Sequence, residues 1–123
     1  MQNLYKNKAI ENIKAAEILF ENDCYNASAN RAYYAAFHAT ISLLYSIGIE
    51  PKIDHRTIQS LFSEQFVNRR KVFSSKHKGV LENLQDKRND ADYKMGVSKK
   101  VAKNQLSTSS EFVKSILGVI KWE

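Results

Sequence analysis

Chain breakers are scarce in this sequence, which holds one proline, Pro51, and four glycines among 123 residues. Neither residue suits a helix interior. Their rarity between long helix-compatible runs predicts an all-α protein. Cysteine is equally rare. Cys24 stands alone, so it has no intramolecular disulfide partner and no companion for a thiolate metal cage. A reducing, cytoplasmic setting is the expectation, with no metal and no cofactor. No export signal is expected either, because Glu11, Lys14 and Glu17 break up the apolar residues near the N-terminus. Residues 32–49 contain no Asp, Glu, Lys or Arg, but His38, Thr40, Ser42, Ser46 and three tyrosines lie among them. That polarity marks a buried central helix and argues against a membrane span. Several enzyme signatures are also missing. The chain has no Gly-rich phosphate loop, no His-Glu-x-x-His zinc helix and no Gly-x-Ser-x-Gly elbow.

What is present reads as one domain over 1–123, long enough for a single core and too short for two. Residues 4–21 form an amphipathic pattern with Ile10, Ile13, Ala16, Leu19 and Phe20 near the helical period. A second helix runs from about Tyr25 to Ile47, with alanines at 27, 29, 32, 35, 36 and 39 and a stop at Gly48. Pro51 and Asp54 frame a third helix carrying Ile58, Leu61, Phe62 and Phe66. Ser74 or Ser75 is placed to cap a fourth, with Val80, Leu81, Leu84 and Ala91 facing inward and an end before Gly96. Ser98 caps the fifth, whose stripe is Val101, Ala102, Leu106, Phe112, Val113, Ile116 and Ile120. Five helices with short connections predict an antiparallel helical bundle.

Nineteen Lys and Arg against thirteen Asp and Glu leave a net charge of +6. That balance permits a polyanionic partner without requiring one. The basic clusters 69–71, 76–78 and 99–103 fall at helix ends and loops. Within the helices, Arg88 and Asp92 are four apart and share a face. Asp90 and Asp92 sit in the last turn, where the helix dipole disfavours anions by about 0.3–1 kcal/mol, so something besides helix stability places acid there. Arg31 begins a long uncharged helix and needs water, an acid or an anion; Asp92 is the expected partner. Tyr34 and His38 follow Arg31 on the same face. His38 reads as a hydrogen-bonded core group and His77, among lysines, as exposed. His55 lies beside Asp54 at a helix start, where the dipole favours a neutral imidazole that can act as a base. These residues predict a cluster of Arg31, Tyr34, His55, Arg88, Asp92 and Tyr93 where the second and fourth helices meet.

The stretches Arg31-Ala-Tyr-Tyr-Ala, preceded by Cys24-Tyr-Asn-Ala, then Lys52-x-x-His55, and the closing Arg88-x-x-x-Asp92-Tyr93 together resemble the HEPN family over roughly residues 9–113. The resemblance implies a helical bundle, a homodimer, and the RNA-directed half of a two-gene pair with a minimal nucleotidyltransferase. It further implies a metal-independent endoribonuclease, with Arg88 holding phosphate. The family's ribonuclease motif places a histidine four to six residues after the arginine. Here Asp92 and Tyr93 stand in that place. Arg88, Asp92, Tyr93 and His55 are therefore the candidate catalytic residues, and Arg31 and Tyr34 the candidate binding residues. A non-catalytic module binding a nucleotide or the nucleotidyltransferase is the alternative. Phe62 and Phe66 are assigned either to a dimer face or to the core.

Overall fold

The computed structural model describes residues 1–120, so the last three residues of the expected single domain lie outside the described part. Five α-helices make up the fold: α1 (Gln2–Glu21), α2 (Tyr25–Ser46), α3 (His55–Phe62), α4 (Val80–Tyr93) and α5 (Lys99–Val119). A π-helical turn over Ser63–Arg69 continues α3, and a 3-10 turn over Ser75–His77 precedes α4. No strand occurs among the described residues. None of the helices is long and apolar enough to cross a membrane.

The central element is α2, which packs against each of the other four helices. Its alanines at 29, 32, 35, 36 and 39 are fully buried. Small side chains let neighbouring backbones approach, and serines then bond across the short gap. Ser28 Oγ donates to the carbonyl of Ala16 and Ser42 Oγ to that of Gln2, which sets α1 antiparallel to α2. Ser109 Oγ of α5 donates to the Ala32 carbonyl, and Gln105 Nε2 donates to the carbonyls of Leu84 and Ala29. One glutamine thus ties α5 to both α4 and α2. The apolar core is completed by Phe62, Phe66, Phe73 and Phe112 around Leu81, Leu84 and Ile116.

Several sequence expectations change in detail. Phe62 and Phe66 are buried, which removes them from any exposed dimer face. Ile10 is exposed, and Ile13, Leu19 and Phe20 are half-buried, because α1 covers only one side of the bundle. Neither Ser74 nor Ser75 caps α4; Gly79 stands at that position, after the intervening 3-10 turn. Asp54 and Ser98 do cap α3 and α5, accepting from the backbone N–H of Thr57 and Val101.

The C-terminal end of α4 is fixed against α2 by its following turn. Gly96 adopts φ +88°, and the Val97 N–H beside it donates to Asn26 Oδ1 at the start of α2. A Cβ at Gly96 would lie 2.9 Å from Asn26 Oδ1. Gly96→Ala is therefore expected to lower stability by about 1–3 kcal/mol in denaturant unfolding. Gly118→Ala, where a Cβ meets nothing within 4 Å, should change it by no more than about 1 kcal/mol in the stabilising direction. Equal stability of wild type and Gly96→Ala would show that this turn does not hold α4 in place.

Candidate functional site

Arg31, in the second turn of α2, carries its charge into a partly buried position and is held there by amides. Its Nε and Nη2 donate to Asn30 Oδ1 at 2.9 and 2.5 Å, and its Nη1 to Asn12 Oδ1 of α1 at 3.2 Å. The expected Arg31–Asp92 pair is not formed. Asn30 stands between them: while its oxygen accepts from Arg31, its Nδ2 donates to Asp92 Oδ2 at 2.7 Å. Because an amide is neutral, the charge of Arg31 stays uncompensated by any carboxylate among the described residues.

Arg88 has a different environment. Its Nη2 donates to Tyr34 Oη at 3.0 Å and its Nη1 to Asn89 Oδ1 at 3.1 Å. Its Nε lies 3.0 Å from Asp92 Oδ2, yet the N–H is not directed at that oxygen, and this buried nitrogen has no hydrogen-bond acceptor among the described residues. The contact with Asp92 is thus an ion pair without a hydrogen bond. Cation–π contacts complete the arrangement. The Arg88 guanidinium carbon is 5.3 Å from the Tyr34 ring centre and 5.4 Å from that of Tyr93, and the Arg31 carbon is 5.4 Å from Tyr34. Such contacts contribute about 0.5–2 kcal/mol each. Tyr93 remains 73% exposed, so its hydroxyl end is open while one ring face meets Arg88. Asp90, the other acid in this turn, pairs with Lys94 at 3.3 Å.

His55 opens α3 close to these groups, its ring 6.2 Å from that of Tyr34. Its Nδ1 is 2.5 Å from the hydroxyl of fully buried Tyr33, which leaves Nε2 as the nitrogen without a partner among the described residues. Burial lowers the His55 pKa first, the nearby Arg88 charge lowers it further, and Asp54 opposes both. Desolvation and then Arg88 thus favour the neutral imidazole, the form expected for this place at a helix start. Burial also raises the Tyr33 pKa far above the ordinary phenol value, so that hydroxyl keeps its proton. His38 is half-buried and its Nδ1 bonds Asn12 Nδ2 at 3.0 Å. Burial, then the charges of Lys8 and Arg31, pull its pKa down to about 4.

All six residues anticipated from sequence are therefore brought together, with Tyr34 at the centre. The assembly offers one uncompensated guanidinium, a second that is partly neutralised, and a neutral imidazole: suitable equipment for holding a phosphate and moving a proton. Among the described residues no three His, Cys, Asp or Glu side chains converge as a metal site. Sequence reasoning missed Asn12, Asn30 and Tyr33. The need of Arg31 for acceptors could have drawn attention to its neighbour Asn30; nothing local marks Asn12, which reaches the site only because α1 lies alongside α2. His77 also differs from expectation: it is half-buried, bonded to Ser74 and packed on Phe73.

A family model described as "HEPN domain" matches residues 2–121. The chain is 45% identical over 60 residues to "Putative toxin MJ0605" of Methanocaldococcus jannaschii, a stretch covering 49% of this chain and 44% of that protein. It is 40% identical over 58 residues to "UPF0332 protein PH1297" of Pyrococcus horikoshii, covering 47% of this chain and 40% of that one. The matched stretch spans less than half the length of each relative.

The histidines generate a pH prediction. A histidine whose folded pKa is depressed binds its proton more readily in the unfolded chain, so stability is complete above the unfolded value and is lost as pH falls. For His38 that window runs from 6.5 down to about 4, and His55 contributes with the same sign. Denaturant unfolding between pH 7 and 4.5 should show falling stability, with a shallower fall in His38→Gln. Identical slopes in the two proteins would contradict the depressed value.

Proposed function

Because the chain belongs to the HEPN family, we propose that it is a toxin-like HEPN protein that acts on RNA as a metal-independent endoribonuclease. The observation that carries this reading is the pairing of Arg31 and Arg88 against Tyr34, with neutral His55 beside them. Arg31, with no carboxylate partner among the described residues, takes the phosphate flanking the cleaved bond. His55 Nε2 removes the proton of the ribose 2′-hydroxyl. The 2′ oxygen attacks phosphorus, the bond to the 5′ oxygen breaks, and that oxygen takes a proton from water, leaving a 2′,3′-cyclic phosphate. Arg88 stabilises the charge that gathers on the phosphate oxygens in between. The word "toxin" in the name of one relative supports the biological direction.

The partners that belong to this reading are RNA, a minimal nucleotidyltransferase and a second copy of the chain, in the cytoplasm. Exposed Tyr93 and Met95, at 73% and 104%, supply apolar surface for protein contact beside the site. Two observations favour a second reading, a non-catalytic module for a nucleotide or the nucleotidyltransferase. Asp92 already sits on Arg88, and no histidine follows Arg88 at the family's spacing.

Incubation of a mixed-sequence RNA with the folded protein in excess EDTA tests the proposal. Cleavage to cyclic-phosphate ends is expected, reduced about 10²- to 10⁴-fold by His55→Ala and abolished by Arg88→Ala. Binding without cleavage, lost in Arg31→Ala, would transfer the assignment to the second reading. Cleavage undiminished in Arg88→Ala would remove the cluster from the chemistry altogether.

A further inference from the structure

Asn12 of α1 touches two groups of α2 that make opposite demands on it. Its Oδ1 accepts from Arg31 Nη1 at 3.2 Å, and its Nδ2 lies 3.0 Å from His38 Nδ1. The chemistry of the neighbours fixes which way the amide turns. A guanidinium has only donors, so the oxygen of Asn12 must face Arg31 and its NH2 group must face His38. An NH2 group also only donates, so His38 Nδ1 must accept, and the ring proton belongs on Nε2. Arg31 thus dictates the tautomer of His38 through Asn12. The dependence also runs in reverse: a proton on His38 Nδ1 would need the Asn12 oxygen, in competition with Arg31.

The surroundings of His38 keep Nδ1 available as an acceptor. The charges that bear on the ring are those of Lys8 on α1 and Arg31 on α2, both positive, and the rings of Tyr5 and Tyr34 pack against it at 5.8 and 6.0 Å. What this leaves on Arg31 is specific. Of its five guanidinium N–H groups, Asn30 engages one on Nε and one on Nη2, and Asn12 engages one on Nη1. One N–H remains on each terminal nitrogen, a fork that suits two oxygens of a single phosphate. Asn30 precedes Arg31 in the same helix. Asn12 comes from another helix and holds the far nitrogen, so it sets the direction in which the fork points.

We propose that Asn12 is a positioning residue of the site: held by neutral His38, it aims the Arg31 guanidinium so that its two remaining N–H groups meet an incoming phosphate. This rests on the reading of Arg31 as the phosphate-holding group and adds the pair of residues that directs it. An amide at position 12 aims the cation without cancelling its charge, which a carboxylate there would do.

Nitrogen NMR of the full, isotopically labelled chain at neutral pH reads the His38 tautomer directly, and the Nε2–H form is expected. Binding of single-stranded RNA made uncleavable by 2′-deoxy substitution, followed against salt, reads the aim. Asn12→Leu removes the bridge but keeps the charge of Arg31, so affinity should fall about 3- to 10-fold with an unchanged slope of log affinity against log salt. Asn12→Asp keeps an acceptor but neutralises Arg31, so the slope should lose about 0.7 in magnitude. His38→Leu, which removes the partner of Asn12 Nδ2 without touching Arg31, should reproduce Asn12→Leu; it provides a second variant should that one fail to fold. The proposal is overturned if His38 is the Nδ1–H tautomer, or if Asn12→Leu and His38→Leu bind as wild type does while Arg31→Ala binds more weakly. If Arg31→Ala itself binds as wild type does, the phosphate reading fails and the proposal with it, so the Arg31→Ala arm tells the two failures apart.

Discussion

Two guanidinium groups rest against the ring of Tyr34, and the rest of the site is arranged around holding these like charges together. The ring offers each a negative face, at 5.4 Å for Arg31 and 5.3 Å for Arg88. That alone does not cancel their repulsion. Asp92 compensates one of them, and Asn30 prevents the same carboxylate from compensating the other, by bonding Arg31 with its oxygen and Asp92 with its nitrogen. The result is an asymmetric pair: Arg88 is positioned and partly neutralised, whereas Arg31 keeps a charge that an external anion can satisfy. Burial first, then the charges of Lys8 and Arg31 at His38 and of Arg88 at His55, lowers the pKa of both nearby histidines.

This arrangement requires α1, α3 and α4 all to meet α2 closely, and the composition of α2 allows it. Buried alanines permit the approach, and serine and glutamine side chains convert it into fixed register through carbonyl contacts. Each such hydrogen bond contributes about 0.5–1.5 kcal/mol, but their larger effect is geometric. They place Arg31, Tyr34 and Tyr33 on known turns of one rigid helix, opposite Arg88. The Asp54 cap then begins α3 where the first residue, His55, lands on the Tyr33 hydroxyl.

Much of this was legible in the sequence because it depends on local chemistry. Scarce breakers, the Asp54 and Ser98 caps and the Gly48 stop defined most helix limits, and the i to i+4 spacing of Arg88 and Asp92 foretold their contact. What could not be read were relations between distant segments. Asn30 as the link between Arg31 and Asp92, Asn12 as the second acceptor of Arg31, and Gln105 as a bridge of three helices all depend on register that only packing sets. The same is true of the buried Phe62 and Phe66, whose stripe could serve a core or an interface equally well. His77 was misread for a related reason: its lysine neighbours suggested solvent, but the 3-10 turn before α4 sets its ring against Phe73 and Phe112.

The central claim is that Arg31 is the charge left open for phosphate. It is tested most directly by the salt dependence of binding to a single-stranded RNA made uncleavable by 2′-deoxy substitution. On this account, plotting log affinity against log salt concentration should give a slope about 0.7 smaller in magnitude for Arg31→Ala than for wild type, the loss of one phosphate contact. Arg31→Lys should retain most of it. An unchanged slope in Arg31→Ala would mean that the open charge meets no phosphate, and that the tyrosine-centred cluster serves the packing of α2 against α1 and α4 instead.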